Sequence, residues 1–125
     1  MASELTTRTE AASAVRDRFL QSLGDYYVWT PGQPIAEFFE QYPFVAGLLA
    51  DAIVHIRKQF GENTVPFIEL LGEDDVPGFT ELFATVRTRL SPDEASAKLD
   101  AFDREWWLDA SVNSGGRLNF SVESL

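Results

Sequence analysis

Apolar residues recur at three- and four-residue spacing most regularly at Val45, Leu48, Leu49, Ala52, Ile53, Ile56 and Phe60, which predicts a core helix closed by Gly61. The same period appears from about Thr7 to Leu23, where Ala12, Val15, Phe19 and Leu23 share a face and Arg8, Arg16, Asp17 and Arg18 surround it. This second stretch predicts an amphipathic helix ended by Gly24. A third begins at Ser91-Pro92-Asp93-Glu94, where Ser91 is a helix cap, Pro92 suits the first helical position, and Glu94 is placed for a capping box. Ala95, Leu99, Phe102 and Trp106 then form one stripe, expected to lie against a sheet.

Period two takes over elsewhere. After the flexible Ser114-Gly115-Gly116, Leu118, Phe120 and Val122 alternate with Asn119, Ser121 and Glu123, the pattern of a half-buried strand. Even positions are largely apolar from Leu82 to Leu90, with Arg87 and Arg89 on the wetter face. Val65 to Leu71 is short and mostly apolar, which predicts a strand covered on both faces, and Pro66 gives it an early or edge position. Gly72 to Gly78 reads as the loop of a hairpin between these two strands.

Tyr26, Tyr27, Val28 and Trp29 precede the breakers Thr30-Pro31-Gly32-Gln33-Pro34, so they form a short strand or an ordered loop that serves as core or interface. Pro34 opens a short helical piece through Phe38 and Phe39, interrupted at Tyr42-Pro43 because proline disfavours helical geometry in the residue before it. The element order is α-α-β-β-α-β. It predicts an α+β domain with a small, mainly antiparallel sheet of three strands, with room for a fourth, and helices on one face. The crossover to the last strand also permits a parallel pairing there. One domain spans residues 1–125, with 1–33 as helix and aromatic connector and 34–125 as the α+β core. Phe67, Ile68, Val86, Leu99, Phe102, Trp106, Leu118 and Phe120 are expected in one core.

Phe102-Asp103, then Trp106-Trp107-Leu108, and later Leu118-Asn119-Phe120 with Val122-Glu123, resemble the ending of a group of small bacterial proteins that carry no assigned activity. The Tyr42-Pro43 break and the Glu69 to Asp75 region are similar to the same group, and the resemblance covers roughly Ile35 onward. It implies a bacterial source and a compact domain, and it transfers no catalytic residue.

Composition narrows the chemistry. Cysteine is absent, which excludes disulfides, thiolate metal sites and cysteine nucleophiles. With His55 as the single histidine, a zinc site is not expected, and His55 lies off the main stripe of its helix as a packed or partly exposed side chain. The net charge of -10 argues against nucleic acid as a partner. The N-terminal stretch lacks the apolar core of a signal peptide and no run approaches bilayer length, so a cytoplasmic protein away from membranes is expected.

Between Glu62 and Asp109, twelve acids face four bases, an acidic bias that suits a basic protein partner. Glu73-Asp74-Asp75 is the densest part of it, but lacks the alternating spacing of a calcium loop. Asp103 and Glu105 point apart on a helix, with Lys98 and Arg104 expected as local ion partners. Gly115-Gly116-Arg117 has no phosphate-binding fingerprint around it and reads as a turn. No serine sits in a nucleophile elbow, and neither a metal nor a cofactor is expected.

The function expected from these observations is a non-enzymatic, acidic protein-binding or adaptor module of regulatory or antitoxin-like character. Trp107, Tyr26, Tyr27, Trp29, Glu73, Asp74 and Asp75 are its candidate contact residues. Adjacent helical residues point about 100° apart, so Trp106 is expected in the core and Trp107 at a flank or interface. Self-association through an uncovered sheet edge or face is a further expectation. The alternative is a small enzyme or ligand-binding domain using carboxylates and tyrosines in a pocket between sheet and helices.

Overall fold

The computed structural model describes residues 23–72 and 80–125. The first four of these are helical, and the helix runs through Gly24 instead of ending there. Gly24 is not in the left-handed conformation that closes a helix, and Tyr27 N–H still donates to the Leu23 carbonyl at 2.9 Å. The rest of the N-terminal helix expected from Thr7, together with Glu73, Asp74 and Asp75, lies outside the described residues.

β1 (Val28–Trp29) is followed by α1 (Ile35–Gln41) and α2 (Pro43–Phe60). Tyr42 between the helices is forced to φ -128 and ψ 71 by the proline after it, while Pro43 starts α2 without the loss of a needed donor. β2 (Phe67–Leu71) and β3 (Glu81–Thr88) come next, then α3 (Pro92–Phe102). Ser91 caps α3 as its sequence requires, accepting the Glu94 N–H at 3.2 Å. A π-helical turn (Asp103–Trp107), the short α4 (Leu108–Ala110) and a 3-10 turn (Ser111–Asn113) lead to β4 (Leu118–Ser124). Gly115 and Gly116, at φ 59 and φ 75, make the reversal before β4.

The α+β architecture is present, with the fourth strand and the parallel last pairing that the sequence left room for, but the mainly antiparallel sheet is only partly matched, because the sheet is mixed. The four strands stand in the order β1-β2-β3-β4, with β1 parallel to β2, β2 antiparallel to β3, and β3 parallel to β4. The cause lies in the connections. α1 and α2 intervene between β1 and β2, and α3 intervenes between β3 and β4, and helical crossovers of this kind return the chain in the same direction. Only the link between β2 and β3 has no helix among its described residues.

The core forms where the helices meet one face of this sheet. α2 buries Val45, Leu49, Ala52, Ile53 and Ile56, and α1 buries Ile35, Phe38 and Phe39. Opposite them are Ile68, Leu82, Ala84, Val86 and Leu118, with Leu70, Phe120 and Val122 packed at the margins. Phe102 is fully buried, whereas Leu99 and Trp106 are partly buried against the same cluster. The expected core is corrected at Phe67, which lies beside Ile68 and so points to the opposite face. For the same reason β2 is not covered on both sides among the described residues: Ile68 is inaccessible, while Leu71 is 46% exposed.

Candidate functional site

The sheet has a second face on which no described helix lies. Its membership follows from register and from contacts between its own side chains. Arg87 and Glu123 form an ion pair at 3.4 Å, the Thr85 and Ser121 hydroxyls lie 2.7 Å apart, and Asn119 donates to Glu81 at 3.1 Å. The Arg87 guanidinium also covers the Phe67 ring at 4.0 Å, which brings β2 onto the same face. Glu69 pairs across with Phe83, and Val28 with Phe67. The half of this face formed by β1, β2 and the start of β3 is mainly apolar around the carboxylates of Glu69 and Glu81: Phe67 and Phe83 are half-buried, and Val28 and Leu71 are exposed. The β4 half is polar and satisfied by its own pairs.

Aromatic residues expected at an interface are divided by the fold. Tyr27 is a core residue: its hydroxyl donates to the Leu49 carbonyl at 2.6 Å, and burial drives its acidity far below that of free tyrosine. It presents no surface to a partner. Tyr26, the preceding residue, is exposed under the Arg57 guanidinium at 5.0 Å. Trp29 meets Phe39 edge-on at 5.5 Å on the helix side, and its buried indole N–H has no hydrogen-bond partner among the described residues. These three therefore form no common site with one another.

Trp106 and Trp107 do not divide as a regular helix requires. The π turn, marked by Leu108 N–H donating to the Asp103 carbonyl, inserts a residue and widens the helix where both rings need to face inward. Both reach Phe120, Trp107 at 4.7 Å and Trp106 at 6.2 Å, while Phe102 meets the same ring at 4.9 Å. The segments around Phe102 to Leu108 and Leu118 to Glu123 are thus the two sides of one packing unit. His55 stacks on the outer side of Trp106 at 5.0 Å, consistent with a packed histidine.

Carboxylates on this segment also find partners other than those expected. Glu105 pairs with Lys58 of α2 at 3.1 Å and accepts from Gln59 at 2.9 Å, not with Lys98 or Arg104. The Lys58 hydrogen bond, aided by its charge, Gln59 and His55, lowers the Glu105 pKa, whereas burial and the adjacent Asp100 raise that of Asp103. Sequence spacing could not disclose these links, because α2 and the π turn are brought together only by the tertiary fold. Among the described residues no His, Asp or Glu cluster gathers at a possible metal site.

A surface cleft of about 220 Å³ lies between α1, the end of β2 and the approach to β4, lined by Glu37, Phe38, Gln41, Tyr42, Thr80 and Arg117 among others. Its Arg117 donates to the Thr80 carbonyl at 3.1 Å and lies over the Tyr42 ring at 4.6 Å, so the guanidinium closes one wall. In the glycine turn beside it the Gly116 N–H is already taken by the Ser114 hydroxyl at 3.3 Å. The cleft is smaller than most small-molecule sites.

No helix among the described residues is long and apolar enough to cross a membrane. No family model, curated protein or solved structure matches this chain.

Proposed function

We propose that this chain is a non-enzymatic protein-binding module, an adaptor or regulatory subunit, that docks its partner on the uncovered face of its sheet. The observation that carries this reading is the apolar group of Val28, Phe67, Leu71 and Phe83 on a face against which no described element packs. Isolated exposed apolar residues are ordinary on protein surfaces, but a contiguous group on a flat sheet loses water on contact with a complementary surface. The acidic balance of the chain favours a basic partner, which fits a regulatory or antitoxin-like role. The enzyme alternative lacks a comparable carrier among the described residues. The cleft's tyrosine and arginine stack on each other, and His55 stacks on Trp106.

A photo-crosslinking side chain placed at Leu71, 46% exposed, compared with one at the more accessible Val54 on the outer side of α2, 69% exposed, tests the reading in the source cells. A defined adduct with one protein from Leu71 and none from Val54 supports it. Adducts from both positions alike, or from Val54 alone, overturn it.

A further inference from the structure

Glu69 stands in the apolar half of the uncovered face, between Phe67 and Leu71 along β2 and directly across from Phe83. Its side chain is partly buried, and among the described residues its carboxylate has no hydrogen-bond or ion-pair partner. The cation on that face, Arg87, is already placed over Phe67 and paired with Glu123. This is an unusual combination. A carboxylate tolerates the position while water reaches it, but a purely apolar partner covering the face would strip that water without replacing it, a large penalty for an unpaired ion.

We infer that the partner docked on this face is a basic amphipathic surface, a helix or strand of another protein, that sets a lysine or arginine against Glu69 within an apolar contact. The inference rests on the protein-binding reading and deepens it. It also selects against a second copy of this chain on the same face. A two-fold axis through the centre of the face would bring Glu69 against its own equivalent, where like charges repel in a dry contact. The carboxylate therefore acts as a selector, favouring a cationic partner and keeping the apolar face from pairing with itself.

The test uses three short helical peptides of zero net charge outside one position, each with the same apolar stripe and with Lys, Gln or Glu at the centre of that stripe. Their binding to the full chain is measured by calorimetry. The Lys peptide is expected to bind at least about ten-fold more tightly than the Glu peptide. Glu69→Gln should bring that ratio close to one, and Glu69→Lys should reverse it. Asp51→Asn, which removes the same charge from the exposed side of α2, should leave the ratio intact. A ratio near one for the wild type, or a ratio unmoved by Glu69→Gln, overturns the inference. Phe83→Ala separates this from the broader reading. If all three peptides bind alike and all weaken in Phe83→Ala, the face docks proteins but does not select cations. If no peptide's binding responds to Phe83→Ala, the docking face itself is rejected. Sedimentation of Glu69→Leu supplies an independent readout: it should self-associate where the wild type does not, and a monomeric Glu69→Leu chain counts against the selector role.

Discussion

Tyr27 carries its hydroxyl beneath α2, where it meets the Leu49 carbonyl and little water. Replacing it by Phe should cost about 0.5–1.5 kcal/mol, the usual net value of one internal hydrogen bond, measurable as a shift in urea midpoint. The same residue gives a pH dependence whose sign is fixed. Because burial raises its pKa above the ordinary 10.0, the unfolded chain loses that proton first. Its stabilising contribution is complete below about pH 10 and declines as pH rises from there towards the folded-state pKa. The wild type should therefore lose stability more steeply than Tyr27→Phe above pH 10, and parallel curves would refute the assignment. Trp106 and Trp107 make a second comparison at this scale. Since both rings pack on Phe120, alanine at either should lower unfolding free energy by about 2–4 kcal/mol, whereas a regular helix predicts that Trp107→Ala leaves the fold intact.

Among the elements, β2 depends on an unusual neighbour. β1 is only two residues long, and beyond it the Gln33 side chain continues the ladder, accepting the Leu70 N–H at 2.7 Å and donating to the Leu70 carbonyl at 3.1 Å. One amide thus stands in for a strand residue, and it also blocks an edge that another chain would otherwise extend. Gln33→Ala should accelerate hydrogen exchange at the Leu70 amide relative to Ile68 and cost about 1–3 kcal/mol, since two backbone groups lose their partner. At the turn before β4, Gly116→Ala meets no side chain within 4 Å, so its cost comes from the backbone alone. A φ of 75 makes that about 1–2 kcal/mol, readable as a lower thermal midpoint.

Across the whole molecule, charge acts at two ranges. The net charge of -10 sets a long-range field that, under the proposed reading, would draw a basic partner in, and this field is screened by salt. In the proposed docking, Glu69 would act only after contact, within the apolar part of the face. Raising ionic strength should therefore lower the association rate of a basic partner by about ten-fold while changing its dissociation rate much less. Glu69→Gln should do the reverse, shortening the lifetime of the complex with little effect on capture, as stopped-flow and dissociation measurements would separate.

The helical stripes at Val45 to Phe60 and from Ala95, the Ser91 cap, the Tyr42-Pro43 break and the glycine turn were all determined by local sequence, because each depends on residues within a turn or two of one another. The alternation in β3 and β4 likewise fixed which residues share a face. What local pattern cannot contain is partnership between distant segments. Strand direction was decided by which helices cross over between strands, and Phe67 left the core because the described helices pack on the other face of the sheet. A π turn widened the helix to admit Trp107, and Lys58 reached Glu105 from another helix. The candidate site belongs to both classes: period two in β2 already sets Glu69 between Phe67 and Leu71, whereas the rest of the site needed the fold. Only the pairing of β1, β2 and β3 brought Phe83 and Val28 beside Glu69, and only the placement of the described helices left this face of the sheet without a helix.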